Sequence, residues 1–346
     1  MSQLAKQSTY IEKEIIKSVN LCNDKGELNR DSIGWSRKTL YNCNLSGRWL
    51  RKKKWNYWCT TSDECLFSVT ISNLDYAGMV FIYFLDFKTK KFIEKTIMTP
   101  FGKGCRMPDN VNETVTFKNS DMEVRLMNEQ DGTHIIAICK DFGGYTMDAD
   151  IKVNMPEGHE TLNVVIPWDN KTFQFTSKQE ALPSSGSLRV GDCRYTFHSE
   201  DAFSCLDFGR GIWPNKVSWN WANASGMVNG RALGLNLGAK WTDNTGMNEN
   251  AIVVDGRLTK ISEDLAFECD VSNYMNPWTI KSCATDSVNL EFVPFYERVA
   301  RSNAVIIKSE VHQMVGHFSG YIKTEDGEVI EIEHFLGCAE DHNAKW

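Results

Sequence analysis

The sequence predicts an all-β protein of two similar antiparallel halves, and three observations predict it. Short β-branched and aromatic runs recur along most of the chain, each punctuated by Gly, Asn, Asp or Pro. Asp-Gly pairs sit between such runs at Asp131-Gly132 and Asp326-Gly327, where a hairpin needs positive φ. Two tryptophan-rich strands, "KKWNYW" (53–58) and "VSWNWA" (217–222), are each followed by a hairpin pattern with an Asp and a basic tip, as in a duplicated unit.

Taken in order, residues 9–20 carry Ile11, Ile15, Ile16 and Val19 at helical spacing and predict one short helix, which "NDKG" then ends. From Trp49 onward the strands are "CLFSVTISNL", "GMVFIYFLDF", "KFIEKTIM", "ETVTFKN", "MEVRLMN" and "THIIAICKDF". A second series follows: "RALGLNLG", "NAIVVDGRLTKI", "LAFECDV", "WTIKSC", "VNLEFVPF", "AVIIKSEVHQMVGHFSGYIK" and "EVIEIEHFLG". Between the two series, Pro183, Ser184, Ser185 and Gly186 break the rhythm, so the halves are placed at 1–185 and 186–346. At 346 residues two cores are the default. Gly47-Arg48-Trp49 and Gly211-Ile212-Trp213 match the G-x-W that opens many small ligand-holding barrels, but with this much Gly and Trp chance alone supplies about one such triplet.

A net charge of −7 with no large basic face argues against nucleic acid as a partner. The basic run Arg51 to Lys54 is read as a solvated strand edge rather than a phosphate or lipid patch. No signal-peptide core opens the chain and no run of about 18 apolar residues occurs, which predicts a cytoplasmic protein without stable membrane insertion. The 11 cysteines, an odd number with no C-x-x-C pair, are expected as reduced, mostly buried thiols.

The stretch "NKVSWNWANASG" (215–226) carries the strongest functional signal. Alternation puts Trp219, Trp221, Asn223 and Ser225 on one strand face, two indoles followed by two small polar groups. That suits a cavity wall, apolar at one end and hydrogen-bonding at the other; the competing reading is plain core running into a turn. In "NEN", Glu249 and Asn250 precede the apolar strand "AIVV". A carboxyl buried there against tryptophans would be pushed up and could act as a general acid, the alternative being a structural loop cap. Glu297 and Arg298 are neighbours on a strand and so face opposite sides; Arg298 is expected to brace Glu249 or Glu340. His159 and Lys178 lie near the expected junction of the halves, and His159 is a candidate acid–base group. The catalytic candidates are thus Glu249, His159 and Glu297; the ligand-binding candidates are Trp219, Trp221, Asn223, Asn250, Arg298 and Trp58. No metal site is expected, since His312 and His317 fall on opposite strand faces and no H-E-x-x-H occurs. No cofactor is expected either: Gly209-x-Gly211 and Gly234-x-x-x-Gly238 open no helix, so neither is a nucleotide motif. No G-x-S-x-G elbow supports covalent catalysis.

Several of these segments carry a family resemblance. "PEGHETLNVVIPWDNKTFQFTSKQEALPSSGS", "LDFGRGIWPNKVSWNWANASG", "GLNLG" with "NENAIVVDGRLTKI", "FVPFYER", and "QMVGHFSGYIKTEDG" with "GCAEDHNAKW" resemble domain-of-unknown-function family 2804 in content and order. That family is similar to the lipocalin-like double-barrel proteins that include carotenoid 1,2-hydratase and the Diels–Alderase cyclases. The resemblance implies two lipocalin-like (calycin-like) antiparallel β-barrels packed together, with a deep apolar cavity, and brings no catalytic residues.

Three readings of function follow. The first is a cofactor-independent hydratase, cyclase or isomerase acting on an apolar or isoprenoid-like molecule. The second is a carrier of lipid or another small hydrophobe with the same cavity. The third is a carbohydrate binder using tryptophans such as Trp55 and Trp58. Aromatic sets on strand faces rather than exposed loops favour an apolar ligand over a sugar. Oligomeric state is not legible in the sequence.

Overall fold

The computed structural model describes residues 11–303 and 308–345. It is nearly all β, with 63% strand and 1% helix, far from the usual third of helix. The first half opens with a meander of β1 (Lys52–Thr61), β2 (Cys65–Asn73), β3 (Ala77–Asp86) and β4 (Phe92–Pro100). It continues through β5 (Met122–Glu129), β6 (Gly132–Phe142), β7 (Tyr145–Asn154), β8 (Phe173–Val190) and β9 (Phe203–Ile212). The second half begins with another meander, β10 (Lys216–Val228), β11 (Arg231–Ala239), β12 (Ala251–Val254) and β13 (Arg257–Lys260). Three long strands complete it: β14 (Val288–Asn303), β15 (Lys308–Lys323) and β16 (Val329–Lys345).

The duplication read from the tryptophan strands is visible in the pairing. In each half the first strand of the meander pairs with the last strand of that half, β1 with β9 and β10 with β16. The orders β4-β3-β2-β1-β9-β8 and β13-β12-β11-β10-β16-β15 are therefore the same topology used twice, each sheet curling into an antiparallel half-barrel.

Each curled sheet holds its own apolar core on its concave side. Trp58, Phe67, Val69, Ile71, Val80 and Ile82 fill the first. Leu233, Leu235, Leu237, Ile252, Trp278 and Phe292 fill the second. The outward faces of the two meanders meet, with Tyr57, Tyr83, Cys205, Trp221 and Cys338 packed between them. Strands buried on both faces read as continuous apolar runs, which is why "GMVFIYFLDF" shows so little alternation.

Local chemistry departs from the sequence reading at three places. Residues 11–20 hold no helix: Ile15 is buried while Ile11 and Ile16 are exposed, so these β-branched residues share no face. The rest of the expected helix, residues 9 and 10, lies outside the described residues. Pro183 to Gly186 do not link two units but sit inside β8. That strand bulges between Gln179 and Leu182, with Ala181 at φ 56, and bends so that its first part pairs with β9 and its last part with β7. The chain passes between the two sheets at residues 213–215 instead. The basic run is neither a free edge nor a patch: Lys52 pairs with Asp75, Lys53 is buried under Leu74, and Lys54 pairs with Asp109.

Both Asp-Gly hairpins are present. Gly132 lies at φ 147, and a Cβ there would meet the Val153 carbonyl oxygen at 2.0 Å. Gly327, at φ 86, turns β15 into β16. No disulfide joins cysteines among the described residues, and most of the 11 are buried. No helix among the described residues is long and apolar enough to cross a membrane.

Candidate functional site

A cavity of about 470 Å³ lies between the outward faces of the two sheets, outside either half-barrel core. Strand register assembles its walls. On the first sheet, Lys178, Asp207, Tyr57, Thr70, Phe81 and Thr96 lie opposite one another on six neighbouring strands and all face the cavity. Thr176, Trp55, Ser72, Met79 and Met98 form the adjacent row. On the second sheet, Trp221 on β10 faces Glu340 on β16, then Gln313 on β15, then Arg298 on β14. Trp219 and His342 begin the next row.

One end of the cavity is aromatic. Trp213 is its hub, stacked on Trp241 at 5.3 Å and 12°, and edge-on to Trp55 and Trp219 at 5.5 and 5.8 Å. Three indoles of the wall have their polar edges satisfied inside the protein. Trp213 donates to Gln174, Trp241 to Glu249 and Trp221 to Asn236, which leaves ring surface to the cavity.

Ionisable groups lie directly against these rings. Lys178 Nζ lies 3.1 Å from Asp207 and 2.9 Å from Glu249, and 4.6 Å over the ring of Trp221. Burial pulls the ammonium down, but Asp207 and Glu249 outweigh it, and Lys178 ends above its ordinary value as a fixed cation. Glu249 is pushed up by burial against the opposing pull of Lys178. Arg298 grips Glu94 of the first half through two bonds of 3.0 and 2.9 Å and lies 4.4 Å over Tyr83. The expected partners of Arg298, Glu249 and Glu340, give way to Glu94 because β4 faces this point from the opposite sheet.

Glu340 is the group whose ionisation is most open to change. Its Oε1 accepts from Trp219 at 2.8 Å and its Oε2 from Gln313 at 3.3 Å. Gln313 in turn accepts from Tyr83, whose hydroxyl meets that of Tyr57 at 2.8 Å. Burial pushes the carboxyl up to about 7, against the weaker opposing pull of Trp219, Arg298 and Lys178. His342, tilted against Trp219 at 3.9 Å and bonded to Ser309, is held neutral, pushed down to about 3 by burial and by Arg298.

A raised carboxyl weakens the fold when ionised. The penalty is absent below the unfolded value near 4.5, grows as pH rises, and is complete above about 7. Glu340→Gln is therefore expected to raise stability at pH 8 by up to about 3 kcal/mol and to change it little at pH 4. Denaturant melts at both pH values check this; equal stability of parent and variant at pH 8 overturns it.

The other expected site residues divide by strand parity and by partner. Trp219, Trp221, Glu249 and Arg298 line the cavity. Trp58 points the other way, into the first core, because Trp55 and Tyr57 take the cavity face of β1. Asn223 and Ser225 share the face of Trp219 and Trp221 but lie beyond the cavity, where the sheets touch. Asn223 donates to Cys205 Sγ at 2.9 Å, and Ser225 bonds Glu180 and the Ala181 amide. Asn250 is structural, bonded to the Gly238 amide and the Glu263 carbonyl. His159 is half-buried away from the cavity and bonds the Glu180 carbonyl at 2.9 Å. Glu297 lies on the opposite face of β14 from Arg298, paired with His312 at 2.7 Å. Neither His159 nor Glu297 reaches the cavity, so both are withdrawn as catalytic candidates.

Lys178, Asp207, Trp213, Trp241 and Glu340 are among the wall residues that the sequence reading left out of its candidate site. The glycines rejected as nucleotide motifs are explained here. A Cβ on Gly209 would strike the Trp55 indole at 2.2 Å, and one on Gly238 would strike Glu249 Oε1 at 2.3 Å. Gly238→Ala is expected to cost about 1–3 kcal/mol by overpacking and to loosen Glu249 from Lys178. A melt unchanged from the parent protein would contradict that close approach.

Among solved structures the chain is similar to an AttH protein of Nitrosomonas europaea, at 10% identity over 85% of this chain and 92% of that one, TM-score 0.45. It is similar to kievitone hydratase of Nectria haematococca at 8% identity over 86% and 89%, TM-score 0.45. Similarity to CghA bound to Sch210972 is 8% over 86% and 88%, TM-score 0.44. No curated protein matches. The family model described as domain of unknown function DUF2804 matches residues 12–346, almost the whole chain, and the chain belongs to that family.

Proposed function

We propose that the protein is an enzyme that needs no cofactor and acts on a small molecule with an apolar, unsaturated body held between the two sheets. The observation that carries this reading is Glu340, a buried carboxyl poised to titrate near neutrality on the wall of a 470 Å³ aromatic cavity. The neutral acid delivers its proton to an alkene carbon or a carbonyl oxygen. The carboxylate left behind is held by Trp219 and Gln313. It recovers a proton from an adjacent carbon, giving isomerisation, or from water that adds to the cationic carbon, giving hydration. Aromatic faces stabilise the positive charge that develops, and enclosure supplies orientation. Thr70 Oγ1, buried in the wall without a hydrogen-bond partner, is a contact for a polar group of the substrate.

The test requires no knowledge of the substrate. The protein is incubated with an apolar metabolite extract in deuterium oxide, and the compounds are compared by mass spectrometry. The expected result is carbon-bound deuterium in at least one compound with the parent protein and none with Glu340→Gln. Incorporation by neither protein, beside saturable binding of Nile red at about one equivalent per chain, would leave the carrier reading in its place.

A further inference from the structure

The basic and acidic groups around the cavity are not matched in number. Two interior cations, Lys178 and Arg298, face four carboxyl groups, Glu94, Asp207, Glu249 and Glu340. Arg298 is consumed by Glu94, and Lys178 alone stands between Asp207 and Glu249. The third cation of the lining, Arg301, is exposed and paired with Glu310 outside. Once Glu249 and Glu340, both pushed up by burial, are ionised, carboxylates outnumber the interior cations, and carboxylates beside indole faces favour a bound cation through Coulomb and quadrupole attraction. The wall already uses this pairing internally, with Lys178 over Trp221 and Arg298 over Tyr83.

We propose that the ligand of this cavity is an amphipathic amine, an apolar body bearing an ammonium head that sits among the indoles facing Glu340 and the Asp207–Glu249 pair. This rests on the same cavity as the proposed function and names the chemical class that fills it. With such a head bound Glu340 starts ionised, so the isomerisation runs base-first, the carboxylate taking a proton from one carbon and returning it to another. The head also explains why, among the described residues, no cation bonds this carboxyl in an aromatic wall: its partners are Trp219 and Gln313. Ligand binding and the Glu340 proton are then linked. The charged and titratable groups around that carboxyl are Arg298 on β14, Lys178 on β8, Asp207 on β9, Tyr83 on β3, and Cys338 and His342 on β16. Lys178 and Arg298 stay charged, His342 stays neutral, and burial pushes the Tyr83 hydroxyl and the Cys338 thiol up; the groups left to change are the raised carboxyls, Glu249 beside Lys178 and Glu340, which is pushed up to about 7. An arriving cation favours its ionised form and expels a proton.

The test compares 6-hydroxyhexyl-trimethylammonium with its uncharged carbon isostere, 7,7-dimethyl-1-octanol, by indole quenching and by calorimetry in buffers of different ionisation enthalpy. The expected result at pH 8 is cation binding at least ten-fold tighter than the isostere. That ratio falls several-fold at pH 6, and proton release accompanies cation binding at neutral pH. Glu340→Gln should reduce the ratio and flatten its pH dependence while the isostere binds as before. If this variant does not fold, the pH dependence and proton release of the parent protein stand as the test. Equal binding of the two compounds, or a ratio independent of pH, overturns the amine and leaves the apolar cavity intact. Failure of both compounds and of Nile red to bind overturns the cavity reading and the amine with it.

Discussion

Replacing Lys178 by Met is expected to destabilise the protein by about 3–5 kcal/mol at neutral pH, because it leaves Asp207 and Glu249 buried together without their shared cation. Hydrophobic volume is nearly conserved in this exchange, and the methionine still lies on Trp221, so packing contributes little to the loss. Charge is the cause, and pH reports it. In the variant Glu249, already pushed up by burial, loses the opposing pull of Lys178 and is pushed up further. The penalty is then largest at high pH and is relieved as pH falls through the folded value. Stability of Lys178→Met should thus approach that of the parent protein near pH 4. A second change, Glu249→Gln in the Lys178→Met background, should recover part of the loss at pH 7, since one carboxylate fewer remains unpaired. Denaturant melts of the four proteins of this cycle at two pH values decide the matter. A pH-independent loss that the second change does not relieve would assign Lys178 a packing role only.

How much of this was legible in the sequence follows from the range of the interactions involved. The strands, the Asp-Gly hairpins and the doubled tryptophan strand are local signals, and each appears where the residues place it. Strand parity was also legible. Once Trp219 and Trp221 form a wall, alternation carries Asn223 and Ser225 to the same face, and it also puts Trp55 and Tyr57 on the face opposite Trp58. What parity does not give is where the cavity stops. Asn223 and Ser225 lie on the expected face, but the sheets close there and the two side chains meet Cys205 and Glu180 instead of a ligand. The charged pairs of the wall were hidden for a further reason. Arg298 and Glu94 are 204 residues apart, and Lys178 and Glu249 come from different halves, so no spacing announces either pair. Glu297 looked as well placed as Arg298 in the sequence, and the alternation of one strand separated them.

Trp221 and Trp219, two residues apart on one strand, are expected to fail in different ways when cut to alanine. Trp221 is 5% exposed, packs edge-on to Tyr57 at 5.7 Å, gives its ring to Lys178 and its Nε1 to Asn236 at 2.8 Å. Trp221→Ala removes a large buried side chain, strips the aromatic face from a buried cation and leaves the Asn236 oxygen without its donor. A loss of about 3–5 kcal/mol of stability is expected. Trp219 is only half-buried, lies against Trp213 and His342, and has one polar contact, Nε1 to Glu340. Trp219→Ala should cost less stability and weaken binding of an apolar probe by about 1–3 kcal/mol, the range for one large apolar contact. Trp219→Phe separates the indole's two contributions. It restores most of the apolar contact but not the donor, so Glu340 loses a hydrogen bond to its ionised form and its titration moves further up. Thermal melts run beside Nile red titrations, with the pH dependence of binding followed in Trp219→Phe, make the comparison. If both alanine variants lose stability equally and neither alters saturable binding, the two indoles are core packing between the sheets and the cavity takes no ligand at this wall.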